Sequence, residues 1–173
     1  MVPQVVDDVA PFEDWQAAAR GALAFLYSTV GLDVWMLTHV QGDQQVVLHA
    51  HPRELVDVGT SVAWDRTFCR MMVAGSGPRV ATVTAATPAY ARLVTGDAER
   101  VNAYVGVPLL TRSRTVFGTL CGVSSRAQPR SLARHLPTVE MVARLLSTLL
   151  PDELTAGGEF PGSPAGTVLE RPT

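Results

Sequence analysis

Apolar residues recur at steps of three and four near both ends of the chain, which is the spacing of one face of an α-helix. The first such stretch covers residues 11–30, where Pro11 suits the first turn and Gly31 follows as a stop signal. The second covers about residues 131–150, and Pro137 either kinks its first turn or marks the start of its regular part. The pattern therefore predicts a long helix at each end.

Between these helices, runs rich in β-branched and aromatic residues predict strands. The predicted strands are residues 33–40, 45–51, 79–84, 101–110 and 116–125. Turn signals at 41–44 and 111–115 join the first two and the last two strands into hairpins. Because neighbouring strands follow one another with few crossovers, we expect an antiparallel sheet in an α+β domain.

Shorter signals fill the middle of the chain and its ends. We predict a loop at 59–65, a short helix at 65–74 that the glycines of 75–78 end, and a helical turn or lid at 87–94. From Pro151 onward, four prolines and four glycines replace any periodicity. The predicted organisation is an N-terminal arm over 1–10, one domain over 11–150, and a flexible tail over 151–173.

The predicted register of the first hairpin leaves apolar residues on both faces of the sheet. With Gln41 opposite Gln44, one face carries Trp35, Leu37, His39, Val46 and Leu48, and the other carries Val34, Met36, Val47, His49 and His51. Helices can cover one face, so the short helix and the loops must cover the other. A sheet roofed by irregular segments is a place where small-molecule cavities form.

Three glycines in the second hairpin indicate that another group comes close to the backbone of the sheet there. With Leu110 opposite Val116, the predicted register places Gly106, Gly118 and Gly122 on the face of Tyr104 and Leu120. Either a packed helix or a ligand could come near such a face, and helix packing is the more common cause.

The composition excludes several classes of protein. Of the 173 residues, 17% are charged and 47% are hydrophobic, and the formal net charge of −2 argues against the basic surface of a nucleic-acid-binding protein. The fourteen cationic residues are all arginine, which excludes any mechanism that needs a lysine Schiff base or a lysine general base.

The sequence also indicates a cytoplasmic protein. No uncharged apolar run approaches the about 20 residues of a membrane span, and residues 1–10 lack the basic start of a signal peptide. Two cysteines, Cys69 and Cys121, are too few for a secreted disulfide framework or a structural zinc site.

Several segments together resemble a GAF domain, a sensory module common in bacterial signalling proteins. The matching segments are Phe68-Cys69-Arg70-Met71-Met72 leading to 75–78, then 88–91, and then the tandem runs 101–109 and 116–121. The resemblance covers roughly residues 12–150. It implies a six-stranded antiparallel sheet with the terminal helices on one face and loops and short helices over a pocket on the other.

The resemblance also implies functions. Family members bind cyclic nucleotides, tetrapyrroles, haem or small metabolites, and many only mediate dimerisation. Thr84 stands where the family often has an aspartate after the third strand, and residues 112–114 replace the usual Asp-Gly turn. The first difference removes a polar ligand contact, so the ligand and any cofactor stay unknown.

Eight residues are candidates for the pocket. They are Trp64, Phe68, Cys69, Met72, Thr84, Tyr90, Tyr104 and Cys121. Aromatic rings with a hydroxyl suit a planar or amphipathic ligand, but the same residues also fill ordinary cores. Cys69 and Cys121 could line one cavity as a redox pair or a metal contact, whereas free cysteines are usually small buried apolar residues.

Other polar side chains give weaker signals for a site. His49 and His51 have a spacing that can bind a metal, but the register turns His39 away and His135 lies in another element, so we expect no metal. Arg66, Arg70 and Arg79 could meet an anionic ligand, although most arginines at this density are simply solvated.

The last helix has more apolar surface than one sheet can bury. Its seam is Leu132, Leu136, Val139, Ala143, Leu146 and Leu150, and Val142, Leu145 and Leu149 form a second stripe beside it. We therefore expect a homodimer through the terminal helices.

The sequence thus predicts a non-catalytic sensory or regulatory domain that binds a small molecule and signals through a helical dimer interface. One alternative is a ligand-free dimerisation module. Another is a thiol-dependent reductase of free methionine sulfoxide, an activity of one GAF branch. That branch uses clustered cysteines, whereas the two cysteines of this chain lie in distant segments.

Overall fold

A computed structural model of the protein describes residues 9–94 and 100–155. The helices are α1 (Trp15–Val30), α2 (Phe68–Val73), α3 (Pro88–Ala91), α4 (Leu136–Thr148) and α5 (Asp152–Thr155). The strands are β1 (Val34–Gln41), β2 (Gln44–His51), β3 (Ser61–Ala63), β4 (Val80–Ala81), β5 (Ala103–Leu110) and β6 (Val116–Ser124). Among these residues, no helix is both long and apolar enough to cross a bilayer.

The strands form one antiparallel sheet in the order β3-β2-β1-β6-β5-β4. This confirms the predicted α+β class with a six-stranded sheet. The sequence pattern predicted five of the six described strands. It missed β3, which lies inside the predicted loop at 59–65. Its three residues pair with Gln44–Val46 at the sheet edge, a match too short to leave a periodic signal.

The two terminal helices, α1 and α4, cover one face of the sheet, which we call the helix side. Trp15 ties them together by donating its indole N–H to the carbonyl of Leu146 at 2.9 Å. Helix α1 begins where Asp14 accepts the backbone N–H of Ala17, and it ends at Gly31 with φ 79°, a left-handed cap that suits glycine. Pro137 lies in the first turn of α4, after a 3₁₀ segment at Arg130–His135, so the second alternative, a regular helix that begins near Pro137, is confirmed.

The register of the first hairpin differs from the predicted one, and the prediction therefore placed His49 and His51 on the wrong face of the sheet. Gln41 does pair with Gln44, but Leu37 pairs with His49 and Thr38 with Val47, so Leu48 is an extra, bulged residue. The bulge moves His49 and His51 to the helix side, where His49 hydrogen-bonds Gln16 and the ring of His51 lies 5.0 Å from that of Tyr27. Within residues 9–94 and 100–155, no group of three potential metal-ligating side chains forms.

A second bulge, at Phe117, separates the three glycines. Leu110 pairs with Val116 as predicted, but Leu109 pairs with Gly118 and Gly106 with Cys121. Gly106 therefore shares a face with Tyr104, whereas Leu120 and Gly122 lie opposite helix-side residues, and the prediction of one shared face was wrong. Both bulged residues, Leu48 and Phe117, are buried in the helix-side core. In each case the extra residue adds an apolar side chain to that core.

Short elements cover the other face, which we call the roof side. They are the 3₁₀ turn Trp64–Arg66, helices α2 and α3, and the connecting loops. The prediction of a flexible tail was wrong for Asp152–Thr155, because these residues form the helical turn α5 and Leu154 packs against the helix-side core. Residues 1–8 of the predicted arm and 156–173 of the predicted tail lie outside the described residues.

Helix α4 and its flanking residues bury most of the predicted seam, whereas of the predicted second stripe Leu145 and Leu149 are exposed and Val142 is not. Leu132, Val139, Ala143, Leu146 and Leu150 are buried, and Leu136 and Val142 pack partly against the same core. Met141, Leu145 and Leu149 are 57%, 55% and 58% exposed, and we call these three residues the α4 stripe.

Candidate functional site

A cavity of about 280 Å³ lies between the sheet and its roof. Its lining is mostly apolar, and it consists of Met36, Thr38, Gln45, Val47, Val56, Thr60, Val62, Arg66, Thr67, Phe68, Cys69, Val101, Tyr104, Cys121 and Val123. The volume is just under the roughly 300 Å³ at which typical ligand pockets begin, so the cavity suits a small molecule. Arg66 is the one charged residue of this described lining, and it is exposed.

Three buried polar residues on the strands form a connected chain of hydrogen bonds at the cavity. The Gln45 amide donates to the hydroxyls of Thr38 at 2.8 Å and Thr119 at 3.1 Å, and the two hydroxyls lie 2.7 Å apart. Thr119 also donates to the sulfur of Cys69 at 3.2 Å. Because a hydroxyl has one proton, Thr38 must be the donor to Thr119. Each hydrogen bond of this polar chain is therefore donated in the direction of Cys69.

The sulfur of Cys69 is the acceptor at the end of this polar chain. Besides Thr119, the hydroxyl of Tyr104 donates to it at 3.4 Å. A hydrogen bond from the Cys121 thiol contributes most to lowering the pKa of Cys69 from its ordinary value, and Thr119, Tyr104 and Gln45 lower it further against the opposing effect of burial. Cys69 is therefore the thiol of this site whose surroundings favour the thiolate form.

Cys121 has the opposite character. Its hydrogen bond to Cys69 and its burial raise the pKa of Cys121 well above the ordinary value. Burial likewise raises the pKa of Tyr104, and the charge of Cys69 raises it further. The site therefore lowers the pKa of one thiol and raises that of the other, while Tyr104 donates to Cys69.

Local sequence explains how Cys69 reaches this position. Thr67 caps α2 by accepting the backbone N–H of Arg70 at 3.0 Å, and Gly75 with φ 73° lets the chain turn away after the helix. Helix α2 then buries Phe68, Cys69 and Met72 against the sheet. Gly106 completes the arrangement, because a Cβ there would lie 1.9 Å from the Tyr104 hydroxyl. Only glycine allows Tyr104 to lie along its own strand and point at Cys69.

The structure brings four of the eight predicted site residues into the cavity lining: Phe68, Cys69, Tyr104 and Cys121. Met72 and Tyr90 are buried in the adjoining roof cluster, with Trp64 partly buried against it, and none of the three lines the cavity. Thr84 is fully buried and donates to the carbonyl of Val101 at 2.5 Å, which is a contact within the fold. Of the three arginines considered, Arg66 lines the cavity, and Arg79 instead pairs with Glu140 at 2.5 Å.

The polar residues Thr38, Gln45 and Thr119 were not among the predicted site residues. Strand alternation gave the signal for two of them, because Thr38 follows Met36 by two positions and Gln45 precedes Val47 by two. Thr119 could not be placed, since the bulge at Phe117 reverses the faces of the residues that follow it.

No protein-family model and no curated protein sequence matches the chain. Solved structures do match it. The free methionine-R-sulfoxide reductase from Neisseria meningitidis, solved in complex with its substrate, is 20% identical, with a TM-score of 0.61 over 83% of this chain and 81% of that one. The GAF domain from a phosphoenolpyruvate-protein phosphotransferase of Coxiella burnetii is 15% identical, with a TM-score of 0.61 over 87% of this chain and 89% of that one.

A further match is the second GAF domain of DevS from Mycobacterium smegmatis. It is 14% identical, with a TM-score of 0.55 over 78% of this chain and 94% of that one. At such low identity the matches establish the fold, and most of the solved structures compared are GAF domains. The resemblance found in the sequence is therefore confirmed: this chain has the fold of a GAF domain.

Proposed function

We propose that this chain is a non-catalytic regulatory domain that binds a small, largely apolar molecule in the roof-side cavity. The observation that carries this proposal is an apolar cavity lined by a few convergent polar residues, which are Thr38, Gln45, Cys69 and Tyr104. Thr119 lies behind them and links Gln45 to Cys69 by hydrogen bonds. Apolar walls with a few positioned polar groups are typical of ligand sites. The ligand that fits has an apolar body and one group able to hydrogen-bond.

The sheet offers a direct route from the cavity to the terminal helices. On β1, Thr38 lines the cavity while the next residue, His39, stacks on Phe117 of the helix-side core. On β6, Thr119 and Cys121 flank Leu120, which is fully buried against the helices. A ligand that moves these strands also moves the surface on which α1 and α4 rest.

The proposed output is a homodimer formed through α1 and α4. The α4 stripe is apolar and exposed, and Phe25 on α1 is also exposed. Stripes of this kind in a helix layer suit a symmetric contact with a second copy. The proposal of a cytoplasmic protein stands beside it, because both cysteines are free thiols in the structure.

The binding test uses 2-naphthol, a bicyclic apolar molecule with one hydroxyl, titrated into the full chain and followed by its fluorescence. We expect saturable binding that is lost in Val62→Trp, which fills the cavity from an exposed lining position, and kept in Val116→Trp, an exposed valine outside the lining. Naphthalene, which lacks the hydroxyl, should bind about 2- to 10-fold more weakly if the polar groups contribute one hydrogen bond.

Equal binding to both tryptophan variants would contradict the cavity as the site. Native mass spectrometry of freshly purified protein adds a second measurement, because retained extra mass identifies a ligand that the cell supplies. Protein that retains no mass and binds no probe would instead favour a ligand-free dimerisation module.

A second candidate function, reduction of free methionine sulfoxide, is supported by the position of the two cysteines. Cys69 and Cys121 are distant in sequence, but both line the cavity. Two thiols can take the oxygen of a sulfoxide as water while they form a disulfide, and a structural neighbour is a reductase of this substrate. Loss of free methionine-R-sulfoxide with dithiothreitol present, absent in Cys69→Ser, would support it, and no turnover by the wild-type chain would exclude it.

A further inference from the structure

The position of Cys69 and Cys121 in one cavity lining and one buried cluster carries an inference that does not depend on the proposed ligand. Both thiols are free and buried, one on α2 in the roof and the other on β6 in the sheet. Structural cysteines of this kind are usually inert because apolar surroundings keep them protonated. The sulfur of Cys69 instead accepts hydrogen bonds from two hydroxyl groups, so its surroundings differ from those of an inert cysteine.

We propose that Cys69 and Cys121 form a reversible two-electron redox site that reacts with a small hydroperoxide. Cys69 is the attacking thiol, because the hydroxyls of Thr119 and Tyr104 donate to its sulfur. Cys121 is the resolving thiol, because it lines the same cavity and lies in the same buried cluster as Cys69. The thiolate is the nucleophilic form of cysteine, so the donors select which sulfur reacts first.

The chemistry balances with hydrogen peroxide as the oxidant. The Cys69 thiolate attacks one peroxide oxygen, so a sulfur–oxygen bond forms, the oxygen–oxygen bond breaks, and the departing hydroxide leaves as water once it is protonated. Cys69 is now a sulfenic acid. The Cys121 sulfur then attacks it, a disulfide forms, the sulfur–oxygen bond breaks, and the hydroxide and the Cys121 proton leave as a second water. A thiol reductant restores both thiols.

The cavity gives the oxidant access to both sulfurs. Cys69 and Cys121 line it, and about 280 Å³ is far more than the space of one water-sized molecule. The titratable and charged groups that face Cys69 are Cys121 from β6, Tyr104 from β5, Tyr90 from α3 and Arg66 at the lining. Of these, Arg66 is the one that carries a positive charge at neutral pH.

Disulfide formation would change the site as well as the thiols. A bond between α2 and β6 fastens the roof to the sheet, and it removes the free sulfur that Tyr104 and Thr119 now face. Both hydroxyls then lose their present acceptor inside a buried polar chain. The oxidised cavity should therefore bind probes such as 2-naphthol differently from the reduced one.

The test exposes the reduced full chain to hydrogen peroxide near pH 7 and measures intact mass and cross-linked peptides. We expect a loss of two hydrogen atoms, a peptide joining Cys69 to Cys121, and full reversal by dithiothreitol. Unchanged mass, a disulfide only between two chains, or oxygen addition without an internal disulfide would each overturn the proposal. Because this readout needs no ligand, its failure is distinct from a failure of the proposed binding function.

Two further variants test the roles of the sulfurs. With dimedone present, Cys121→Ser should trap a sulfenic acid at Cys69, and Cys69→Ser should give no adduct at Cys121. Equal adducts in both would overturn the assignment of roles. Tyr104→Phe removes one donor to Cys69, so the pH at which peroxide reacts at half its maximal rate should move upward.

Tyr90→Phe is the matched control for Tyr104→Phe. It removes a neighbouring buried hydroxyl that donates to the carbonyl of Pro78 at 2.5 Å and makes no hydrogen bond to Cys69 in the described structure. The pH profile should stay in place in this variant. A shift of the same size in both variants would show that Tyr104 has only a structural role.

Discussion

The two faces of this sheet are built from the same strands but by different rules. On the helix side, side chains from α1, α4 and the sheet form one apolar core, and both bulged residues fill it. On the roof side, short elements leave a cavity, and buried polar groups stand at it. We infer that the helix side provides most of the stability of the domain. Because of this, the roof side can keep an imperfectly packed, reactive site.

The largest expected effect is on the free energy of unfolding, which a truncated side chain should lower more on the helix side than on the roof side. Leu120→Ala, on the helix side with no exposed surface, should cost about 3–5 kcal/mol, because its neighbours cannot collapse into the gap. Val47→Ala, at the cavity, should cost less than about 1.5 kcal/mol, since its removed methyl groups already border empty space. Urea denaturation of both variants measures the difference, and equal costs would contradict the comparison.

The same contrast decides what could be predicted from sequence. Periodicity located α1, α4 and five strands, because repeated burial on one face leaves a repeated pattern. It failed at Leu48 and Phe117, where one extra residue reverses every following side chain and nothing in the composition marks the bulge.

The candidate site was harder to predict than the fold. Four of the eight proposed residues line the cavity, and they came from the family-like segments that include Cys69 and Cys121. The shared position of these two cysteines at the cavity depends on α2 folding over the sheet, which is a tertiary relation without a local signal. The polar chain from Gln45 to Cys69 depends on the strand register in the same way.

The next effect probes the roof side through one glycine. Gly106→Ala places a methyl group where the Tyr104 hydroxyl now lies, so the ring must move away from Cys69. We expect a loss of about 1–3 kcal/mol from overpacking and a higher pKa for Cys69, since one donor is withdrawn. Thiolate absorbance against pH measures that pKa, and an unchanged titration would contradict the role given to Gly106.

A smaller effect belongs to the helix side and depends on acid. Burial and the nearby charges of Arg20 and Arg53 lower the pKa of His49 to about 4, from about 6.5 in the unfolded chain. Below about pH 6.5 the unfolded chain therefore binds more protons than the folded chain does. The free energy of unfolding decreases as the pH is lowered from about 6.5, and it levels off below about pH 4. Because His49 is partly exposed, we expect a loss on the order of 1 kcal/mol.

His49→Gln should flatten this part of the curve, as thermal or urea denaturation between pH 4 and about 6.5 would reveal. The half-buried His39, whose pKa burial also lowers, should leave a residual slope. A variant with the full wild-type slope would mean that His49 does not contribute, and that acid acts elsewhere on the helix side.

The smallest effect on stability should come from the outer surface of the helix layer, and it tests whether that surface belongs with the buried core. Leu145→Gln should change the free energy of unfolding by no more than about 0.5 kcal/mol, because the side chain is already in solvent. The same change should convert the proposed dimer to monomer in analytical ultracentrifugation. Leu55→Gln, an equally exposed leucine outside the helices, should affect neither quantity. If Leu145→Gln instead destabilised the monomer by several kcal/mol, the α4 stripe would be part of the core, and the apolar surface available to a second copy would be lost.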